Sequence, residues 1–157
     1  MSEPIKVLFV CHGNICRSPM AQFVLEDMVS QEGLDGRITV DSAATTNEEL
    51  GNPPHYGTVE VLEREGIPMR SHRARHITSS DYEDFDFIIG MDRENMHSME
   101  RFFKGDPDHK LYKMLEFAGS ERDVADPWYT GNFDVTFDDI HDGCVGLLHH
   151  IKRECRL

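Results

Sequence analysis

Residues 5–10 read IKVLFV, a candidate buried strand. From Pro19 onward apolar residues return at Met20, Phe23, Val24 and Met28, the spacing of one helical face, and Gly33 supplies a stop. A strand, a polar loop of eight residues and a helix are therefore predicted in direct succession. The same alternation continues along the chain. Residues 37–44 and 85–91 (FDFIIGM) read as further strands, 108–115 as a last short one, and 75–78 as a brief extended segment. Residues 58–65 read as a helix capped by Gly66, a second helix starts at Asp92 and runs to about residue 103, and residues 137–152 form a closing helix. Strands alternating with helices predict an α/β fold, a parallel sheet with helices on both faces. No repeat or long linker divides the chain, so one domain over residues 1–157 is expected.

In open sheets of this kind, ligands bind beyond the carboxyl ends of the strands. The loop after the first strand is Cys11-His12-Gly13-Asn14-Ile15-Cys16-Arg17-Ser18, followed by Pro19. A tight turn entering a helix points several backbone N–H groups into one concavity, which suits an anion. Gly13 can take a positive φ and Asn14 is the next most tolerant residue; Ser18 suits the helix cap and Pro19 the first helical position. In such a cradle the amides and the helix dipole would favour the thiolate of Cys11, a nucleophile at neutral pH. Arg17 offers a planar fork that fits two oxygens of a phosphoryl group and would stabilise charge developing there. Ser18 could donate to the sulfur and ease its departure. A lone C-x5-R pattern carries little weight, since a cysteine ending a strand is usually only a small apolar residue. The strand before, the helix after, Gly-Asn inside and Ser-Pro behind give it weight here.

Displacing a phenolate from phosphorus requires a proton donor on the side opposite the thiolate. The chain has 29 carboxylates, so composition selects none. Asp126 stands out because it opens Asp-Pro-Trp-Tyr, where Pro127 restricts it to extended conformations and two large aromatics follow. Taken alone, this segment also reads as a surface Asp-Pro turn.

With these residues in hand, the chain resembles the low-molecular-weight protein tyrosine phosphatase family. The likeness rests on VLFVCHGNICRSPMA, DSA at 41–43, SHRAR at 71–75, MD at 91–92 and DPWYTGN at 126–132, in the family's order. It implies a three-layer sandwich around a four-stranded parallel sheet of order 2-1-3-4, with the phosphate-binding loop after the first strand. It implies Cys11 as nucleophile, Arg17 as phosphate clamp, and Asp126 as acid and then as base for the water that hydrolyses phosphocysteine. His12, Gly13, Asn14, Ile15, Cys16 and Ser18 would bind phosphate. Asn14, Ser18, Ser42 and His72 would hold the loop in shape. Trp128, Tyr129 and position 48 would line the mouth, and Cys16 could form a reversible disulfide with Cys11. Two positions depart from the family. An aromatic usual near position 48 is replaced by Glu48 within Asn47-Glu48-Glu49-Leu50, and a usually apolar position 12 holds His12, so the rim is more polar.

Composition narrows the partners. With 16 basic and 29 acidic residues the net charge is -13, which disfavours nucleic acid and anionic membranes. No apolar run approaches the length of a membrane span and no export signal is evident, so a cytoplasmic protein is expected, with its four cysteines as free thiols. No cofactor and no metal are expected, because Arg17 and the loop amides do the work of a cation. Expected partners are phosphotyrosine proteins, inorganic phosphate and, by family analogy, a cognate tyrosine kinase, for a monomer or weak dimer. Three rival functions are disfavoured. Arsenate reduction needs further cysteines, and residues 17–143 contain none. Phosphoarginine hydrolysis belongs to a branch with threonine where this chain has Ile15, whose bulk fills the space a guanidinium would use. A silent phosphate-binding module would need neither Cys11 nor Asp126.

Overall fold

The structure is a computed structural model that describes residues 3–157. Four parallel strands form one sheet: β1 (Ile5–Cys11), β2 (Ile38–Ala44), β3 (Phe87–Gly90) and β4 (Leu111–Lys113), in the spatial order β2-β1-β3-β4. Both faces of β1 are buried, as its unbroken apolar run requires. Val7, Phe9 and Cys11 face a core shared with α1 (Arg17–Gln31), α2 (Tyr56–Arg64) and α6 (Phe133–Glu154). Leu8 and Val10 face a second core with α3 (Asp81–Asp84) and α4 (Arg93–Phe102). The expected three-layer sandwich and strand order are both present. Because β1 lies between β2 and β3, its carboxyl end sits where successive crossovers leave in opposite directions, the place such sheets keep open for a ligand.

Several boundaries differ from the sequence reading. Helix α1 begins at Arg17 with Cys16 as its cap, so Pro19 occupies the third helical position, where its missing N–H costs nothing. Ser18 cannot cap this helix because its hydroxyl is bonded within the site. The run 85–91 is only partly strand. Asp81–Asp84 form a short helix closed by Phe85, and pairing begins at Phe87. Residues 75–78 contribute a single bridge, His76 to Ala44. The last strand stops at Lys113, where Met114–Ala118 turn into a 3-10 helix (η1), and Pro127–Thr130 form a short helix α5. The closing helix begins earlier than expected, at Phe133, because the Asn132 side chain caps it by accepting from Val135 N–H. Gly146 lets α6 lie against the 3-10 turn, since a Cβ there would fall 1.9 Å from the Phe117 carbonyl oxygen.

Candidate active site

β1 runs one residue further than its apolar stretch suggests and delivers Cys11, 3% exposed, to the sheet edge where α1 starts. The loop between them is shaped from outside. Thr45 N–H donates to the Cys11 carbonyl (3.0 Å), and Thr46 donates to the His12 carbonyl through its N–H (3.2 Å) and hydroxyl (3.0 Å). His55 N–H donates to the Ile15 carbonyl (2.7 Å), and the Thr58 hydroxyl to the Cys16 carbonyl (3.1 Å). In a trans peptide the carbonyl and the following N–H point in opposite directions. Holding these carbonyls outward therefore turns the N–H groups of His12, Gly13, Cys16 and Arg17 to the side where the loop borders a cavity of about 570 Å³. Thr45, Thr46, His55 and Thr58 carry no sequence signal for this role, because it depends on which loop passes behind.

The positive φ falls on Asn14 (58°), not on Gly13. Gly13 is instead a matter of room, since a Cβ there would meet Glu49 Cγ at 3.2 Å. Asn14 is fully buried and directs its amide into a network. Its Nδ2 donates to Ser18 Oγ (2.7 Å) and Ser42 Oγ (3.0 Å), and its Oδ1 accepts from His72 Nε2 (3.0 Å) and Arg75 N–H (3.2 Å). Ser42 Oγ passes its own hydrogen to Gln22 Oε1 (2.5 Å). Since Ser18 already accepts from Asn14, its hydrogen is left for Cys11 Sγ, 3.1 Å away. The His72 imidazole is pushed toward the neutral form by burial, with Arg70 and Arg75 adding to the effect and Asp41 opposing it. The expected set of Asn14, Ser18, Ser42 and His72 thus forms one network, with Gln22 as a member the sequence reading missed. Asn14 and Ser18 lie behind the loop in this network and do not line the cavity.

Arg17 is 2% exposed and held by three groups. Nη1 donates to Asp92 Oδ2 (2.7 Å) and to the Val124 carbonyl (2.9 Å), and Nη2 to Asp126 Oδ2 (3.4 Å). Burial alone would depress its pKa, but the neighbouring Cys11, Asp92 and Asp126 outweigh it and keep the guanidinium charged. Asp92 serves twice, because its other oxygen accepts from Asn95 N–H and caps α4. Asp126 caps α5 in the same way, accepting from Trp128 N–H (3.1 Å). Pro127 at the first helical position is buried, which leaves Trp128 (56% exposed) and Tyr129 (82% exposed) at the mouth. Opposite them, His12 and Glu48 are hydrogen-bonded to each other and both face solvent. Glu49 is a further lining residue.

The cavity therefore gathers Cys11, His12, Gly13, Ile15, Cys16, Arg17, Glu48, Asp126, Trp128 and Tyr129 from the predicted residues. Cys16, almost fully buried beside Cys11, has its thiol pushed up to about 12 by burial, with Cys11 and Asp126 adding to it. It is a neutral thiol at physiological pH.

A cysteine ending the first strand, an arginine opening the following helix and an aspartate paired with that arginine thus border one cavity. The family model described as "Low molecular weight phosphotyrosine protein phosphatase" matches residues 6–157, and the chain belongs to that family. A Bacillus subtilis relative, "Low molecular weight protein-tyrosine-phosphatase YfkJ", is 43% identical over 98% of this chain and 99% of that one. A Staphylococcus haemolyticus protein, "Low molecular weight protein-tyrosine-phosphatase PtpA", is 38% identical over 98% and 97%. The crystal structure of YfkJ superposes with a TM-score of 0.94, covering 98% of each chain. The Drosophila arginine phosphatase structure is 30% identical, with a TM-score of 0.86 over 94% of this chain and 98% of that one.

Proposed function

We propose that this chain is one catalytic domain that hydrolyses phosphotyrosine in proteins, and small aryl phosphates, through a phosphocysteine on Cys11. The Cys11 thiolate attacks phosphorus in line with the tyrosine oxygen. The P–O bond breaks as the S–P bond forms, and Asp126 gives its proton to the departing phenolate. The transferring phosphoryl oxygens are taken by Arg17 and the N–H groups of the loop, whose charge and dipoles stabilise the transition state. In the second step Asp126, now a carboxylate, accepts a proton from water as the water attacks phosphorus. The sulfur leaves as thiolate, stabilised by the Ser18 hydroxyl, and inorganic phosphate is released.

The observation that carries this reading is the meeting of Cys11, Arg17 and Asp126 at one cavity. Three partners share Arg17, so the clamp stays charged and oriented although it is buried. Trp128 and Tyr129 suit the flanking of an aromatic ring. The cycle needs no metal or cofactor. Phosphotyrosine proteins and inorganic phosphate are the ligands, in a cytoplasmic monomer or weak dimer, with a tyrosine kinase as the source of substrate.

Likeness to an arginine phosphatase makes phosphoarginine the specific competitor. Ile15 lines the cavity, occupies room a guanidinium would need and offers no hydroxyl. The test is turnover of matched phosphotyrosine and phosphoarginine peptides by the wild type and Ile15→Thr. Preferred cleavage of phosphotyrosine by the wild type, with trapped phosphate on Cys11, supports the reading; preference for phosphoarginine refutes it.

A further inference from the structure

We propose that His55 is a positioning residue whose ring holds Trp128, and through it the Asp126 turn, in register with the phosphate loop. The inference deepens the phosphatase reading above, and its kinetic part rests on it.

His55 touches both halves of the site. Its backbone N–H donates to the Ile15 carbonyl at 2.7 Å, which fixes it to the phosphate loop. Its Nδ1 accepts from Gly57 N–H at 3.0 Å, capping α2 and stopping the ring from turning. The ring stacks on Phe133 (centroids 5.0 Å, planes 18° apart) and on Tyr56 (4.4 Å, 28°), and meets Trp128 edge-on at 5.7 Å and 79°. Phe133 in turn packs on Ile15 and Cys16. Room for that stack depends on Gly57, where a Cβ would fall 2.5 Å from the Phe133 ring.

The turn it supports is held unevenly. Before Asp126 the backbone is tied at two carbonyls, Val124 to Arg17 Nη1 (2.9 Å) and Ala125 to the Thr136 hydroxyl (3.0 Å). After Asp126 the chain makes a helix of four residues, too short to fix itself. The carboxylate itself is held by Arg17 Nη2 (3.4 Å) and Trp128 N–H (3.1 Å), but Tyr129 is almost wholly exposed, so the segment that carries that N–H is anchored by the buried Pro127 and by the contact of Trp128 with His55. A ring locked to the phosphate loop on one side and pressed on Trp128 on the other gives the acid a fixed distance from the reacting phosphorus. Proton donation is steeply sensitive to that distance.

Two variants separate the ring from the cap. His55→Asn keeps a capping acceptor and removes the stack; His55→Phe keeps an aromatic ring and removes the acceptor. Trp128 is the chain's single tryptophan, so its emission reports the contact without reference to catalysis. Three readouts are taken on the full chain: acrylamide quenching of Trp128, and kcat/KM for phenyl phosphate and for p-nitrophenyl phosphate. For His55→Asn, quenching is expected to rise, and kcat/KM to fall about tenfold for the poor leaving group but less than about threefold for the good one. His55→Phe is expected to stay near wild type in all three. Unchanged quenching and an unchanged ratio between substrates in His55→Asn would overturn the proposal. So would His55→Phe losing as much as His55→Asn, which would make the cap the agent. If the wild type hydrolyses neither ester, the phosphatase reading fails, and the quenching comparison alone upholds or overturns the role of His55.

Discussion

Arg17 and Asp126 lie 109 residues apart in sequence and meet at 3.4 Å, guanidinium to carboxylate. The group that would take the phosphoryl oxygens is thereby also the group that sets the position of the candidate acid. Asp92 completes the arrangement from the far side of the guanidinium, at 2.7 Å, so the arginine cannot follow Asp126 outward.

Replacing Asp126 by Ala is expected to lower kcat/KM for phenyl phosphate by about 10²- to 10⁴-fold, the usual range for a lost general acid. The loss for p-nitrophenyl phosphate should be much smaller, because its leaving group needs little protonation. Steady-state assays of the two esters side by side check this. Equal losses would remove Asp126 from the acid's role.

Arg17→Lys should be as damaging as removal of the arginine. One ammonium cannot reach Asp92, the Val124 carbonyl and two phosphoryl oxygens together, since it lacks the planar fork. A loss of at least about 10²-fold in kcat/KM is expected, of similar size for both esters, because charge stabilisation is lost regardless of leaving group. A variant retaining near wild-type turnover would show that the clamp lies elsewhere.

Thiol labelling should sort the cysteines by environment. With its thiol pushed up to about 12, Cys16 has only about 10⁻⁵ of its population as thiolate at pH 7. Iodoacetamide at that pH should label Cys11 and, more slowly, the exposed Cys155, with inorganic phosphate protecting Cys11 alone. Labelling of Cys16 should grow only as pH rises toward its raised value. Peptide mapping by mass spectrometry reads the outcome, and phosphate-protected Cys16 labelling at pH 7 would contradict it.

Stability should depend on pH through His72. Its folded pKa lies below the ordinary value of 6.5, so the unfolded chain binds the extra proton more readily. The resulting stabilisation is present in full above about 6.5 and is lost as pH falls through the lowered folded value. Urea midpoints for wild type should therefore drop between pH 7 and pH 5, and the drop should shrink in His72→Gln. An identical slope in both proteins would assign the acid sensitivity to another group.

The His12–Glu48 pair borders the mouth where the family resemblance implies an aromatic wall. Glu48→Tyr should lower KM for a phosphotyrosine peptide by about two- to tenfold, the worth of one added aromatic contact, with little change in kcat. A change confined to kcat would mean that position 48 acts on chemistry and not on the ring.

The parts of the site that local pattern makes legible share a property: they are contiguous, whereas Ser42, His72 and the acid's role for Asp126 came with the family resemblance. Strand, loop and helix follow one another over residues 5–31, and the spacing from Cys11 to Arg17 can be read directly from the chain. Where the structure departs from that reading, side-chain hydrogen bonds decide the local conformation. Ser18 looks like a helix cap until Asn14 and Cys11 are seen to claim its hydroxyl. Gly13 looks like the residue for a positive φ until Asn14 takes that conformation, with its amide bound on both sides by Ser18, Ser42 and His72. Residues 81–84, to which the sequence assigns no element, form a short helix that begins where Arg75 and Thr78 N–H engage the carboxylate of Asp81. In each case a side-chain hydrogen bond, whether from a near or a distant residue, outweighed the backbone preference.

From the chain alone came the alternation of strand and helix, the cradle after the first strand, and the nucleophile and clamp within it, because periodicity and backbone geometry act over a few residues. The fold decided how Asp126, already singled out by its Asp-Pro-Trp-Tyr segment and by the family resemblance, meets the guanidinium, which carbonyls are held away from the cleft, and that Gln22, Asp92 and His55 stand behind the site. Those choices depend on side-chain direction and on segments closing over as many as a hundred residues, and no local pattern encodes either.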